Sequence, residues 1–444
     1  FSQLGIERNY DNIIIGQGSF SDFAYDATIL YHEFTHGVIE KYVTLHNPQL
    51  FSDGIYFDSG ALNEGFADYF AAAASGLDDI AGYVSSQFLK SSGKDMHIMR
   101  SVNNQNICPN HIGGEVHYDG QIWAGTLWQI RKALAENDIL ESDFDTLVLH
   151  TITDDLLNES IFEDAAHAII ENIYKNFGES QSITAKKIFE ERGVINCKRV
   201  KDIDYTDQGM TFIPSKSMFQ NFTFAPPPVQ YRVLNKAGSD NILLSFTLDK
   251  NAGLSASVMT NPGSLFGGSQ EIKIFLLVKK SSAVTFTYNM QGVFADHDFE
   301  IPVMFSSQDD SFSAEIAIEP GCEQEYYIAV ANAGDQSFVI AQVEADYEIS
   351  KDFEDSNCFT PEEIDDTDNV KTSTQNETII SDDSDNHEPV ITSTKSDSSD
   401  SNTDKEKGCG CNQRNETRSH INILLYLFML IGATLLRKKF VLKF

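Results

Sequence analysis

The chain of 444 residues carries Lys+Arg 32 against Asp+Glu 66, a formal net charge of −34 at pH 7, which argues against a polyanion such as nucleic acid as a partner. A hydrophobic content of 41% with 11% aromatic residues excludes wholesale disorder, and 6 cysteines are too few for a disulfide-dense scaffold. The length suits two or three domains. Because the chain starts at Phe1 and no signal segment follows, we expect its N-terminal part to be incomplete.

Residues 1–200 have the pattern of a mainly helical domain. Apolar residues recur at spacings of three and four in the segments 61–75 and 121–136, which is typical of helices that bury one face. The apolar stretch 24–42 also has the pattern of a helix, and it contains the strongest local motif of the chain. These segments predict a helical domain over residues 1–200.

That motif is His32-Glu33-Phe34-Thr35-His36. On a helix, histidines at positions i and i+4 lie on one face about one turn apart, so both imidazoles can bind a single cation with Glu33 beside it. A zinc ion that activates water usually has three protein ligands and one open position. A further ligand must therefore come from another part of the chain.

The next predicted helix supplies a third candidate ligand near its start. Its sequence includes Asn63-Glu64-Gly65-Phe66-Ala67-Asp68, in which Glu64 is the candidate. Asp68, one turn later on the same face, can accept a hydrogen bond from a ligand imidazole and fix its tautomer, and Asn63 can act in a similar way. The His-Glu motif alone also occurs in ordinary surface helices, but the two helices together predict a metal site of His32, His36 and Glu64.

These two motifs resemble those of the zinc endopeptidases of the thermolysin and fungalysin type, over roughly residues 1–195. A third block, His117-Tyr118-Asp119-Gly120-Gln121-Ile122-Trp123-Ala124, is similar to the downstream histidine segment as fungalysins have it, which favours that branch. The resemblance implies an α+β, zincin-type metalloendopeptidase in which His32, His36 and Glu64 bind Zn²⁺. Glu33 would then be the general base, and His117 would stabilise the oxyanion.

Several positions depart from the family pattern or leave a role open. Thr28 stands where thermolysin-type enzymes have an acidic calcium ligand, so calcium is a second candidate cofactor whose usual ligands are not evident. Ile112 stands where an acid often orients the downstream histidine, and either Glu115 or Asp119 could substitute. Tyr56 is either a second oxyanion donor or a core or loop residue. Family enzymes also have a β-rich lobe before the zinc helix, and we expect that lobe to be truncated here.

Beyond residue 200 the pattern changes from helices to strands. Short alternating or β-branched runs separated by Gly, Pro, Asn and Asp predict a β-sandwich over residues 231–350, which could dock on a surface or a substrate partner. Residues 201–230, which contain Pro226-Pro227-Pro228, are expected to form a stiff linker.

The last part of the sequence predicts a stalk and an anchor. Residues 351–408 are expected to be disordered, because acidic side chains outnumber basic ones by 17 to 5 in the segment 351–407 and aromatic residues are almost absent. Residues 409–444 hold two cysteines, an apolar run at 421–436 and a basic end, which predict a transmembrane helix over 421–436. This end resembles the C-terminal sorting tags of myxobacteria and related bacteria, which implies export and display at the cell surface, anchored or released after processing.

Four cysteines outside this tag fit an exported protein. Pairing Cys108 with Cys197 and Cys322 with Cys358 would respect the predicted domains, but four cysteines allow three pairings. Two functional hypotheses follow from the sequence. The first is a zinc endopeptidase that hydrolyses extracellular proteins or peptides, and the alternative is a surface-displayed adhesive or structural protein with a non-catalytic peptidase-like domain.

Overall fold

The computed structural model describes residues 22–92, 100–205, 209–219, 221–249, 273–306, 311–318 and 320–350, together with residues 13 and 15. All of them belong to the first of two units of the chain, Phe1–Cys358. The predicted stalk and sorting tag, including the apolar run 421–436, lie outside the described residues. Within those residues, no helix combines the length and the apolar character needed to cross a membrane.

The first part of the chain is mainly helical, as its periodicity predicts. The helices are α1 (Ala27–Tyr42), α2 (Asp58–Ser75), α3 (Gly82–Ser92), α4 (Val116–Ala135), α5 (Glu141–His150), α6 (Phe162–Phe177) and α7 (Glu179–Glu191). Short 3-10 helices occupy Phe23–Tyr25 and Lys216–Met218, and a π-helical turn occupies Thr151–Asp155.

Asp26 determines where α1 begins and ties that helix to α3. Its Oδ1 accepts hydrogen bonds from the backbone N–H of Thr28 at 3.1 Å and from the Thr28 hydroxyl at 2.6 Å, which satisfies free donors of the first helical turn. Its Oδ2 accepts hydrogen bonds from the backbone N–H groups of Tyr83 and Val84 at 2.9 and 3.2 Å. Thr28, at the position expected for a calcium ligand, is therefore part of a helix cap.

The helical core is centred where α2 crosses α4. Glycines make this crossing close: a Cβ added to Gly65 would lie 2.7 Å from the carbonyl oxygen of Gly120. Beside the crossing, the fully buried Trp123 stacks on Phe162 and Phe189, with ring centroids 5.8 and 5.7 Å apart. The packing keeps the N-terminal halves of α2 and α4 next to each other.

Two five-stranded sheets form the second part of the unit. The strands of the chain are β1 (Gln49–Phe51), β2 (Gly54–Tyr56), β3 (Asp79–Ile80), β4 (Arg100–Ser101), β5 (Val200–Asp202), β6 (Thr211–Ile213), β7 (Gln230–Leu234), β8 (Ser239–Leu248), β9 (Ile274–Lys280), β10 (Thr285–Asn289), β11 (Gly292–Asp296), β12 (Phe299–Pro302), β13 (Met304–Ser306), β14 (Ser311–Ala317), β15 (Glu325–Asn332) and β16 (Phe338–Ile349). One sheet has the order β12-β9-β15-β7-β5 and the other β13-β14-β8-β16-β6. The remaining pairs, β1-β2, β3-β4 and β10-β11, are two-stranded.

The core of these sheets is apolar, as their alternating pattern predicts. It includes the fully buried Ile242, Leu244 and Phe246 of β8 and the buried Phe312 of β14, whose ring stacks on Phe246 with centroids 4.5 Å apart. Alternate residues of β8 thus face the core, which is the expected consequence of a period of two.

The segment expected to be a linker contributes to both sheets. Strand β5 pairs in parallel with β7, and β6 pairs with β16. Moreover, the carbonyl oxygen of Pro227, within the proline run, accepts a hydrogen bond from the backbone N–H of Ile55 at 3.1 Å. Residues 201–230 therefore pack against the helical part through backbone contacts that composition does not reveal.

One of the two suggested disulfides is confirmed. Cys108 and Cys197 are bonded, with their Cα atoms 5.8 Å apart. Cys322 is also disulfide-bonded, whereas Cys358 lies outside the described residues.

Candidate active site

Three side chains from two helices converge on one point. His32 and His36 lie one turn apart on α1, and their Nε2 atoms are 3.0 Å apart. Glu64 of α2 places its Oε2 3.2 Å from His32 Nε2 and its Oε1 3.6 Å from His36 Nε2. The ligand atoms of the three residues all lie within 4.8 Å of one another.

The Nδ1 atom of each histidine contacts an oxygen of an α2 side chain. His32 Nδ1 lies 2.8 Å from Asp68 Oδ1, and His36 Nδ1 lies 2.9 Å from Asn63 Oδ1. An acceptor at Nδ1 keeps the proton on that nitrogen, which leaves Nε2 with its lone pair free for a metal. The geometry brings Asn63 and Asp68 to the positions in which they can fix both tautomers.

Arg100 completes this outer layer, and sequence reasoning missed it. Its guanidinium donates two hydrogen bonds to Asp68, from Nε at 2.8 Å and from Nη2 at 2.9 Å. Asp68 is 1% exposed, so this pairing offsets the burial of its charge. Burial raises the pKa of Asp68, but Arg100 and His32 outweigh it and hold the pKa below its ordinary value. The sequence contains no local signal for Arg100, because its partner lies 32 residues away on another element.

Opposite charges strongly shift the ionisation of the two central ligands. Burial lowers the pKa of His32, but hydrogen bonds to Asp68 and Glu64 and the charges of both carboxylates raise it to about 9. Burial raises the pKa of Glu64, but its hydrogen bonds to His32 and His36 hold it well below its ordinary value. The carboxylate of Glu64 is therefore ionised at neutral pH, as a metal ligand must be.

His117 extends this cluster from the first turn of α4. Its Nε2 lies 3.4 Å from Glu64 Oε2, and its Nδ1 lies 2.7 Å from Glu115 Oε1. The other oxygen of Glu115 caps α4 by accepting a hydrogen bond from the backbone N–H of Tyr118 at 2.9 Å. Burial lowers the pKa of His117, but the hydrogen bond to Glu115 and the charge of Glu64 raise it above its ordinary value.

Asp119, the other residue that sequence reasoning allowed as the partner of His117, has a different role. Its two carboxylate oxygens accept hydrogen bonds from the backbone N–H groups of Gly113 and Gly114 at 2.6 and 2.8 Å. It holds the turn that leads into α4. Glu115 is thus the acid that contacts His117, and Ile112 is a fully buried apolar residue.

Glu33 and Tyr56 occupy different surroundings. Glu33 lies on α1 next to His32 and is exposed. Tyr56 is half-buried, and its hydroxyl donates a hydrogen bond to Asp53 Oδ2 at 2.7 Å. The guanidinium carbon of Arg199 lies 4.1 Å from the centre of the Tyr56 ring. These contacts favour a structural role for Tyr56 over that of an oxyanion donor.

The donor set suits zinc. Two imidazole nitrogens and one carboxylate form a three-ligand set that leaves a further coordination position open, which is typical of catalytic zinc sites. The Nε2 atoms of His32 and His36 both face Glu64 and lie only 3.0 Å apart. A cation bound there would be contacted by both lone pairs. Together with His117 at the edge, whose pKa is raised above its ordinary value, this arrangement is typical of a metallopeptidase.

Comparison with known proteins agrees with this class. Residues 15–194 match the family described as fungalysin metallopeptidase (M36). Over these residues the chain is similar to the fungalysin metallopeptidases. No curated protein matches the chain significantly.

Proposed function

We propose that the chain is a zinc-dependent endopeptidase that hydrolyses peptide bonds of extracellular proteins. The observation that carries this proposal is the convergence of His32, His36 and Glu64, with His117 Nε2 3.4 Å from Glu64 Oε2. Zinc bound by these three ligands would supply a Lewis acid that polarises the scissile carbonyl and acidifies water. The fungalysin family match supports the same chemistry over this part of the chain.

In this proposal the remaining steps belong to side chains of the chain itself. Glu33, exposed on α1 beside the first ligand, takes the proton of the attacking water and passes it to the leaving amine. His117, whose pKa the hydrogen bond to Glu115 raises, meets in its cationic form the negative charge that develops on the carbonyl oxygen. Asp68 and Asn63 keep the ligand imidazoles in the required tautomers.

We further propose that the protein acts outside the cell. The disulfide between Cys108 and Cys197 supports an oxidising compartment. Anchoring by residues 421–436 and the sorting tag are predictions from the sequence, and a calcium site has no support from Thr28, which donates to the capping residue Asp26.

The test compares Glu33→Gln with wild type in the full-length protein, using zinc content and hydrolysis of a protein substrate as readouts. We expect zinc to be retained and hydrolysis to fall by about 10²-fold or more, because only the proton acceptor is removed. Glu171→Gln is the matched control, since Glu171 is also an exposed helical glutamate but pairs with Lys175 at the surface of α6. Equal, measurable hydrolysis by wild type and Glu33→Gln would refute this role of Glu33, whereas no hydrolysis by zinc-loaded wild type would favour the adhesive alternative.

Glu64→Ala tests the third ligand separately. It removes the carboxylate that lies beside both imidazoles, those of His32 and His36. We therefore expect the purified protein to lose its stoichiometric zinc. Full zinc content in this variant would contradict the assignment of Glu64.

A further inference from the structure

We propose that the β-sandwich is a working part of the catalytic unit, and that Arg199 is the positioning residue through which it aligns Glu64 and His117. The inference rests on the proposed function, because it concerns the geometry of the same site. It differs from the sequence-based expectation, in which the sandwich is a module joined by a linker.

Arg199 is joined to the beginning of the helix that carries Glu64. Its Nη2 lies 2.7 Å from both carboxylate oxygens of Asp58, the first residue of α2. Arg199 and Asp58 are only 3% and 1% exposed, so the pair is shielded from solvent and its geometry is confined. Glu64 follows Asp58 by six residues, roughly 9 Å along a rigid helix. A shift at Asp58 is therefore transmitted to Glu64.

Arg199 is itself held by the sandwich. It directly precedes β5, and its carbonyl oxygen accepts a hydrogen bond from the backbone N–H of Gln230 in β7 at 2.8 Å. The buried Gln230 amide also donates to the carbonyl oxygens of Val284 at 2.8 Å and of Asp53 at 3.0 Å. The edge of one sheet thus fixes the backbone from which the Arg199 side chain reaches α2.

The hairpin β1-β2, which leads into α2, is held by the hairpin β10-β11 and by the proline segment that precedes β7. Besides the Ile55–Pro227 backbone hydrogen bond, the Tyr288 hydroxyl lies 3.0 and 3.2 Å from the carbonyl oxygens of Phe51 and Gly54. Gly54 has φ +149°, and a Cβ there would lie 2.3 Å from the Pro227 carbonyl oxygen. The polypeptide therefore enters α2 along a path that the sandwich determines.

The turn that precedes His117 is held by the second sheet. The carbonyl oxygen of Gly113 accepts a hydrogen bond from the backbone N–H of Phe212 in β6 at 2.6 Å. Gly114, at φ +77°, is so close to Pro228 that a Cβ would lie 2.5 Å from its Cγ. Asp119 binds this turn from inside α4.

The sandwich consequently contacts the chain near the N-terminal ends of α2 and α4. Glu64 and His117 come from α2 and α4, and their 3.4 Å approach depends on the relative placement of those two helix starts. A module that only docked on substrate would need no buried ion pair with α2. We infer instead that the sandwich fixes the relative positions of Glu64 and His117.

The experiment compares Arg199→Lys with Arg131→Lys in the full-length protein. Arg131 is the matched control because it also pairs closely with a buried aspartate, Asp145, at 2.9 and 3.1 Å, but within the helical part. The readouts are zinc affinity by chelator competition, the absorption spectrum of the Co²⁺-substituted protein, kcat and KM, and thermal unfolding. Lysine retains the charge but cannot reproduce the planar guanidinium on Tyr56 and Asp58.

We expect both variants to unfold at lower temperature, but only Arg199→Lys to change the site. Zinc affinity should fall about tenfold, as for other outer-layer changes. The Co²⁺ spectrum should shift, and kcat should fall more than KM changes. If Arg199→Lys behaves like Arg131→Lys in zinc affinity, spectrum and kcat, the proposal is wrong.

Two features keep the result interpretable. If Arg199→Lys does not fold, Asp58→Asn is used in its place. It removes the negative charge of the pair and leaves one acceptor oxygen for Arg199, and the same criteria apply to it. Zinc affinity and the Co²⁺ spectrum do not require peptide hydrolysis. A wild-type protein without peptidase activity would therefore refute the proposed function, whereas an unchanged spectrum in the variant would refute the positioning role of Arg199.

Discussion

Glu115 has a different partner for each oxygen of its carboxylate. One oxygen binds the Nδ1 side of His117 at 2.7 Å, and the other caps α4 at the backbone N–H of Tyr118 at 2.9 Å. The capping interaction holds the carboxylate in place, so that the orientation of the histidine ring follows from the start of the helix. One residue thus supplies both the local fold and the charge that favours a cationic His117.

We predict that Glu115→Gln lowers kcat by about 10- to 100-fold with a smaller change in KM, because a neutral side chain no longer favours the cation that stabilises the oxyanion. Glutamine keeps the size of the side chain and an oxygen for the helix cap. Steady-state kinetics on a peptide substrate check this, with Glu191→Gln on α7 as an exposed control. An unchanged kcat would show that Glu115 serves only the cap.

Asp68→Asn should weaken zinc binding by about 10- to 100-fold, since the acceptor that orients His32 loses its charge. The change also leaves the half-buried Arg100 without its anionic partner, so the protein should unfold at a lower temperature. Asp145→Asn separates these two effects, because Asp145 is likewise buried and paired with an arginine, Arg131, away from the ligands. Chelator competition should detect weakened zinc binding in Asp68→Asn only, and similar zinc affinities in the two variants would contradict the role of Asp68.

At the level of elements, the close crossing of α2 and α4 brings the ligand and the oxyanion residue together. A Cβ on Gly120 would lie 3.0 Å from the backbone nitrogen of Gly65 and 3.1 Å from the Cβ of Glu64. Neither helix backbone can yield without moving its catalytic residue. The glycines are therefore part of the geometry of the site.

Gly120→Ala is expected to lower kcat/KM by at least about tenfold, because a 1 Å misplacement can have a large kinetic effect. Gly76→Ala is the control: Gly76 ends α2 at φ +70°, and a Cβ there would meet nothing within 4 Å. That control should lose about 1 kcal/mol of stability from backbone strain and keep its activity. Kinetic and urea-unfolding measurements on both variants check this, and full activity of Gly120→Ala would contradict it.

The sequence predicts the elements that carry local signals. The helical spacing predicts α1 and α2, and the i, i+4 histidines with the following Glu64 predict a convergence of His32, His36 and Glu64, whose side chains do lie together in the structure. Alternating patterns likewise predict long strands such as β8 and β16. The predictions of helices and strands succeed because each periodic pattern lies within the element that it predicts.

The parts of the fold and of the site that the sequence does not predict depend on contacts between residues far apart in the chain. Strands β5 and β6 have three residues each, too few for a periodic pattern, and they form because β7 and β16 accept them at sheet edges. Arg199 pairs with Asp58 across 141 positions, a distance over which no spacing rule applies. Composition therefore suggests a linker where the folded chain has an interface.

At the scale of the whole molecule, three buried ionisable side chains lie at or beside that interface. Arg199, Asp58 and Asp119 are each at most 3% exposed. Burial raises the pKa of Asp119 to about 7, even though two backbone N–H groups and the charge of Arg199 act in the opposite direction. The stability of the unit should therefore depend on pH around neutrality, where most carboxylates do not titrate.

The sign of this dependence follows from proton uptake. The ordinary pKa of an aspartate is 3.8, so between about pH 4 and pH 7 the folded protein holds a proton on Asp119 that the unfolded chain has released. The contribution of Asp119 to the free energy of unfolding thus falls as pH rises through this range, by up to about 1.4 kcal/mol per pH unit, and levels off above pH 7.

Asp119→Asn isolates this contribution, because all other titrating groups remain and cancel in the difference between the two proteins. We expect the free energy of unfolding of wild type, relative to the variant, to decrease from about pH 4.5 to about pH 7 and then to become constant. Urea unfolding at half-unit pH intervals measures it. Asparagine offers one acceptor oxygen to Gly113 and Gly114 instead of two, which displaces the whole curve of the variant but not its slope. Parallel curves across this range would mean that Asp119 is ionised in the folded protein and that Arg199 outweighs its burial.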